Sequence, residues 1–485
     1  MQLVAYGAQD VYLTGQPKVT FFQAVYKRHT NFAMEAIQQT LNGSVGNGNR
    51  VSVTIARNGD LVGDMWVQLQ PSLPSASQVG SGGAYAQSNL TSTNYTLDMN
   101  WVAERAINAV ELTIGGQRID KHYQTWFRLY AEVFLSESDK YAYGRLATAS
   151  NPAYSTASGS SSNMSGNTTG AIQYVYLPLL FFFNRNPGLY LPLIALQYHE
   201  VRMDFDLTSY YSGYFGGNAM QVWANYVYLD TEERRRFAQK GHEYLIEQVQ
   251  HTGGDSIATA ATSETAPTLI RLSFNHPVKE FIWCYQNAST TQTIGTNSNY
   301  NGMWNFCSNT ANVNLTCNVT AFANTVNYLL PHLSGVPHLF SNGVVNGSVL
   351  GNSNVFWIEE GASMFGNFEV GPLHQFKVVL NGQDRFAAQS GKYFNAYQPL
   401  VYHSGVPYPG IYVYSFALKP EEHQPTGTCN FSRIDNAQVS VALKGCSFTV
   451  PASTTGNGAC TQKLFAINYN ILRIQSGMGG LAFSN

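Results

Sequence analysis

The sequence predicts an all-β protein: two tandem eight-stranded jelly-roll β-sandwiches, with short helices in the connecting loops. Three observations predict it. Apolar residues recur mostly at every second position, the period of a half-buried strand. The 485 residues hold 13% aromatics, including 30 Tyr, alongside 43 Gly, a mix that favours strands joined by turns. Four landmarks also occur twice in the same order, roughly 220 to 265 residues apart. A chain of this length suggests about three domains, or two large ones if they are β-sandwiches.

The chain opens with an arm, residues 1–24. Its "AYGAQDVYLTGQPKVTFF" mixes Tyr, Phe and Val with turn residues and cannot form a core alone. It shows neither a positive leader nor a long apolar run, so no secretory signal is expected. The first sandwich is placed at 25–230 and the second at 231–485.

The first landmark is a strand-turn-strand: "VSVTIARNGDLVGDMWVQL" from Val51, and "IRLSFNHPVKEFIWCYQ" from Ile270. The second is a strand running into a tight turn. Val110, Leu112 and Ile114 alternate with Glu111 and Thr113 before "GGQ". Phe376, Val378 and Leu380 alternate with Lys377 and Val379 before "NGQ". After the first turn, "DKHYQTWFRLYAEVF" spaces Trp126, Leu129, Tyr130 and Val133 as a helix does, with Asp120 as its expected cap. The longest apolar run, "YVYLPLLFFF", has ten residues and a proline. A membrane-spanning helix needs about 20, so the run is assigned to a buried strand of a soluble chain.

The third landmark pairs "LYLPLIALQYHEVRMDFDL" with "IYVYSFALKPEEHQPTGTCNFSRIDNAQVSVAL", and the fourth pairs "WANYVYLD" with "AINYNILRI". Between the halves, "LDTEERRRFAQKGHEYLIEQVQ" starts a helix capped by Asp230 or Thr231. Glu232 and Glu233 in its first turn suit the helix dipole. Three stretches rich in Gly, Ser, Asn and Thr read as long loops: Pro71–Asn100, Thr148–Gln173 and Gln286 to about Asn354.

Composition restricts function. Charged residues make up only 12%, against roughly 25% in an average globular chain. The net charge is -2, which does not suit a binder that neutralises many phosphates. Six cysteines, at 284, 307, 317, 429, 446 and 460, form no CxxC pair, so reduced thiols are expected and zinc or redox chemistry is not. No GxxxxGK, HExxH or GxSxG motif occurs. "GSVGNGNR" joins two strand-like runs and reads as a hairpin, since a phosphate cradle must open a helix. His199, Glu200, Asp204 and Asp206 cluster in "YHEVRMDFD". The alternation puts Glu200, Arg202, Asp204 and Asp206 on one strand face, where Arg202 can pair with its neighbours. Arg234–Arg236 lie beside Glu232 and Glu233 and read as a solvated helix face. His242, Glu243 and His423 show no partners. The chain therefore offers no catalytic, cofactor-binding or metal-ligating set. Asn-x-Ser/Thr sequons mark Asn287, Asn314, Asn318 and Asn346 as glycosylation candidates in the last long loop.

Several stretches together are specific: "QLVAYGAQDVYLTGQPKVTFFQAVYKRHTNFAMEAIQQTLNGS", "GGQRIDKHY", "LPLIALQYHEV", "HEYLIEQ", "LNGQDRF", "YSFALKP", "GTCNFSRIDNA" and "NYNILRIQSGMGGLAF". By these the chain closely resembles the double jelly-roll major capsid proteins of nucleocytoplasmic large DNA viruses, especially those of algal viruses. The resemblance implies a homotrimer whose six jelly rolls form a hexagonal outline and tile an icosahedral shell. It also implies minor capsid and penton proteins as partners, an internal membrane nearby, no direct contact with nucleic acid, and assembly in the host cytoplasm. The arm, from Gln2 to about Phe32, would lie at the capsomer base. A reading from another class is a carbohydrate-binding, lectin-like β-sandwich at a surface, with Tyr300 and Trp304 stacking on sugars.

Overall fold

The structure is a computed structural model, which describes residues 14, 16–18, 20–24, 26–71, 101–147, 174–217, 220–257, 267–287, 372–405, 407, 410–443 and 460–483. Asn314, Asn318, Asn346, Tyr300, Trp304 and nearly all of the three long loops lie outside these residues.

The first half contributes eight principal strands among the described residues. They are β1 (Phe32–Gln39), β2 (Arg50–Thr54), β3 (Leu61–Leu69), β4 (Ile107–Ile114), β5 (Gln117–Tyr123), β6 (Val175–Pro178), β7 (Val201–Leu207) and β8 (Gln221–Leu229). They form two antiparallel sheets, ordered β1-β8-β3-β6 and β2-β7-β4-β5. The second half contributes β9 (His242–Ile257), β10 (Thr268–Leu272), β11 (Pro277–Asn287), β12 (Leu373–Leu380), β13 (Gln383–Asp384), β14 (Ile411–Ser415), β15 (Ala437–Leu443) and β16 (Cys460–Gln475). Their sheets are ordered β9-β16-β11-β14 and β10-β15-β12-β13. Adding eight to each strand of the first half reproduces the second. This crossing of strands between two facing sheets is the jelly roll, and it occurs twice.

The repeated turn follows from backbone sterics. It joins β4 to β5 and β12 to β13. Gly115 and Gly116 have φ of 58° and 83°, and Asn381 and Gly382 have 51° and 80°. A two-residue hairpin whose twist matches its strands needs positive φ at both positions, which Gly and Asn supply. Gly115 is further restricted, since an added Cβ would lie 2.4 Å from the His199 ring.

Three helices matter here: α1 (Gln124–Phe134), α2 (Glu137–Ala147) and α3 (Thr231–Gln239). Trp126, Leu129 and Val133 are buried on α1, as their spacing predicts. Asp120 does not cap it. The β5 strand carries the chain to Tyr123, and Asp120 Oδ1 instead accepts the Val249 N–H at 3.1 Å. Asp230 does cap α3, accepting from Thr231 N at 2.8 Å. That helix stops at Gln239, before Gly241, and "HEYLIEQVQ" belongs to β9. The "YVYLPLLFFF" run is strand only as far as Pro178, which lacks the N–H to extend a ladder. Phe182–Arg185 then make one helical turn, with Phe181, Phe182 and Phe183 all buried.

The β9-β16-β11-β14 sheet is buried on both faces over its central strands. Phe281, Trp283 and Tyr285 of β11 enter the core of the second sandwich. Ile282 and Cys284, between them, enter the core of the first. On β16, Leu464 and Ala466 point one way and Phe465 and Ile467 the other. Fully burying such side chains contributes about 1.5–3 kcal/mol each. The two cores therefore meet through one sheet. Ile282→Ala should cost about 2–5 kcal/mol and Trp283→Ala about 3–5 kcal/mol. Denaturant unfolding followed by circular dichroism should show each as one shifted transition. Two transitions, only one of them moved, would mean the shared sheet does not couple the halves.

Candidate functional site: the seam between the sandwiches

The polar cluster of "YHEVRMDFD" is structural. Asp204 accepts from Arg202 at 2.8 Å and pairs with Arg50 at 3.1 Å, while Asp206 lies 3.7 Å from Arg50. The buried Asp204 and exposed Arg202 thus form the pairing expected on one strand face. Glu200 is exposed, and the His199 ring packs beside Gly115 and Gly479. Arg234 bonds Asp60 at 3.0 Å, tying α3 to the first sandwich, and no residue of α3 is buried. Glu243 pairs with Arg473, and His242 bonds the Phe237 carbonyl at 2.8 Å. "GSVGNGNR" is a hairpin, with Gly43 and Gly48 at positive φ. Among the described residues, no group of three or more His, Cys, Asp or Glu is placed to hold a metal ion. Cys284 is buried and Cys429 half-buried, both as free thiols, and burial pushes the Cys284 thiol up to about 12.

The sequence reading did not anticipate the charged groups sealed in and beside the seam. At its centre, Glu247 of β9 meets Arg185 of the first sandwich at 3.0 Å and Lys279 of β11. Burial alone would raise the Glu247 carboxyl, but Lys279 and Arg185 outweigh it and hold it below its ordinary range. Gln248 donates to the Ile119 carbonyl, and Lys463 donates to Thr125 Oγ1 at 3.1 Å. Around these bonds Trp126, Tyr123 and His251 pack on Phe465, with His251 stacked at 4.3 Å. Behind α1 lies a second charged group. Arg128 approaches Glu104 at 3.4 Å and Glu132 at 3.2 Å, and sits 4.3 Å over the Trp101 ring. Tyr143 donates to Glu104 at 2.6 Å. Burial pushes the Glu104 carboxyl above its ordinary range despite Arg128 beside it. Arg128 and Glu132 are spaced i,i+4 on a helix, the one sequence signal for this group.

The far end of the seam is closed by His403. Its Nε2 is 3.1 Å from Glu280 Oε2 and its Nδ1 is 3.4 Å from Glu421 Oε1. His403 and Glu280 are fully buried, and the Phe134 ring of α1 meets the imidazole edge-on at 5.3 Å. The Ser404 hydroxyl donates to the Phe134 carbonyl at 3.2 Å. Burial opposes the charged imidazole, yet Glu280 and Glu421 prevail and raise it from 6.5 to about 9. His403 is thus a cation at neutral pH. Because the folded value is raised, its contribution is full below about 6.5 and is lost as pH rises through about 9. The loss is on the order of 3 kcal/mol. Denaturant stability measured from pH 7 to 10 should fall accordingly. His403→Gln should start roughly 3 kcal/mol lower, with Glu280 left unpaired, and lack that fall. Parallel curves for the two proteins would exclude this role.

Comparison with known proteins fits the fold. Residues 20–230 match the family described as "Major capsid protein N-terminus", and residues 233–480 match "Large eukaryotic DNA virus major capsid protein". The chain is 42% identical to the major capsid protein of Paramecium bursaria Chlorella virus 1, covering 100% of this chain and 99% of that one. It is 38% identical to that of Phaeocystis pouchetii virus, with the same coverage. Among solved structures, a chain of the PBCV-1 virus capsid superposes with a TM-score of 0.69 at 40% identity, over 96% of this chain and 100% of that one. The Faustovirus major capsid protein shares the fold, with a TM-score of 0.63 at 14% identity, over 97% of this chain and 94% of that one. Two jelly rolls fused through a buried seam, related end to end to these shell proteins, place the chain in the major capsid protein family of large eukaryotic DNA viruses, a family of structural proteins.

Proposed function

We propose that this capsid protein acts as a homotrimeric, pseudo-hexagonal capsomer that tiles an icosahedral shell. The observation that carries the reading is the identical strand order of the two halves, locked together by a buried seam. Three such chains give six similar sandwiches, a near-sixfold outline from threefold symmetry. In this reading residues 1–24 are an arm, 25–230 the first jelly roll and 231–485 the second. Phe21, Phe22 and Tyr26 are almost fully exposed in the isolated chain, which supports contacts of the arm region with neighbouring capsomers, minor capsid and penton proteins, or the layer beneath. Assembly takes place in the host cytoplasm and needs no direct nucleic-acid contact. The lectin-like alternative rested on Tyr300 and Trp304, outside the described residues, and no observation favours it. The purified protein should have the native mass of three chains and form hexagonal sheets. Deleting residues 2–24 should spare the trimer and impair the sheets. A monomer at micromolar concentration would refute the reading.

The segment after β11 supports a second part of the proposal. Asn287 ends β11 opposite Cys460, and Asn314, Asn318 and Asn346 follow. Loop closure costs only about 0.6 kcal/mol per doubling of length, so so long an insertion is tolerable and free for another purpose. The reading is an outward tower on the second sandwich that carries sugars at one or more of these four residues. Replacing Ser289–Leu350 with a short Gly-Ser linker should leave a trimer that melts cooperatively. Antibodies raised against intact virions should lose much of their binding. Undiminished binding, with no sugar found on these asparagines in virion protein, would reject the tower.

A further inference from the structure

Three of the specific stretches, "GGQRIDKHY", "LPLIALQYHEV" and "NYNILRIQSGMGGLAF", lie far apart in the chain yet meet at one place. After β16 the chain turns back through Ser476 and Gly477, with φ of 56° and 81°. A short strand, β17 (Met478–Leu481), then pairs with the end of β16. Positive φ at both central positions makes this the same kind of hairpin as the one at Gly115 and Gly116.

The hairpin belongs to the second half of the chain, but the first half binds it. The Tyr198 N–H donates to the Gly477 carbonyl at 3.0 Å. His199 Nδ1 lies 2.8 Å from the Gly479 carbonyl oxygen and 3.1 Å from the Gly479 nitrogen. The Leu481 N–H donates to Gln117 Oε1 at 3.1 Å. Glycine permits the close approach. An added Cβ on Gly479 would lie 2.7 Å from Leu196 and 3.3 Å from Ile114, and one on Gly477 would lie 2.6 Å from the Tyr198 ring. Gly479 is buried and Met478 beside it is 51% exposed, so the hairpin turns one face to the first sandwich and the other to solvent. The His199 ring is thus wedged between the β4–β5 turn at Gly115 and the β16–β17 hairpin.

The packed centre of the seam lies elsewhere, at Ile282, Cys284, Phe465 and Ile467. It joins the sandwiches without the hairpin. We propose that the β16–β17 hairpin is a clasp, which braces the β4–β5 turn of the first sandwich through His199 and opens independently of the two cores. Its bonds span 280 residues from His199 to Gly479 and 364 from Gln117 to Leu481. Synthesis runs from the N-terminus, so the first sandwich can fold before its clasp exists. A contact made at one edge, by a few hydrogen bonds and little apolar area, opens at lower cost than a core.

The test is amide hydrogen exchange on the full chain carrying Gly479→Val, which forces bulk against Leu196 and Ile114. A second chain lacking residues 476–485 removes the clasp without adding bulk. Met478→Ala, on the exposed face of the same hairpin, is the control. The reporter is the Gly115 N–H, which bonds the Glu200 carbonyl at 2.9 Å within the first sandwich and touches the clasp only through His199. Its exchange should rise at least tenfold in the first two proteins and stay at the wild-type rate in Met478→Ala. Segments 281–285 and 464–467 should keep wild-type protection in all three. An unchanged Gly115 rate in both clasp variants would overturn the proposal. So would an equal rise in segments 281–285 and 464–467, because the hairpin would then be part of the core fold and no separate clasp.

Discussion

The structure depends on one sheet whose central strands have no solvent side. The strands β9, β16, β11 and β14 send alternate residues into two different cores, so neither sandwich is complete without the other. A single jelly roll can wet the outer face of each sheet. Here that option is removed, and the chain becomes one folding unit with two lobes. The rest follows from this constraint. The first sandwich must present an apolar helix where an ordinary loop would do, and the second must place aliphatic and aromatic residues on a face that would otherwise be polar.

Sealing that face traps charges, and their pairing sets how the lobes meet. Glu247 between Arg185 and Lys279, and His403 between Glu280 and Glu421, are expensive to bury and tolerable only when partnered. An apolar seam would be as stable but could slide. Of these pairs, Arg185–Glu247 joins the two lobes and favours one register, because displacing the lobes would leave an ion alone in a dry environment.

Much of the architecture was legible because one-sided burial writes itself as alternation. Strand β7 and the β4–β5 and β12–β13 hairpins could be read residue by residue, and the ordered repetition of landmarks exposed the duplication. What escaped was the seam, for a physical reason. A strand buried on both sides loses its period, so "EFIWCY" states that it is buried but not against what, and "HEYLIEQVQ" could be taken to extend a helix. The buried charges escaped because their partners lie far away along the chain, as Glu280 does from His403. Arg128 and Glu132 were closer to visible, but helical spacing alone does not separate a solvated pair from a sealed one. Asp120 was misassigned because a carboxylate near a helix start resembles a cap until the strand before it is seen to continue.

The strands β9 and β16 pair from His242 opposite Ile474 to Ile257 opposite Cys460. At about 3.3 Å per residue, sixteen residues make a ribbon about 50 Å long. Its hydrogen bonds lie across the strands, so tension along the ribbon strains them all together, whereas peeling from an end would break them one at a time. Its middle, from Leu464 to Ile467 on β16, is packed on both faces, so peeling cannot pass that point without opening a core. A pull between the two ends of this ribbon would thus act in the direction in which paired strands are mechanically strongest.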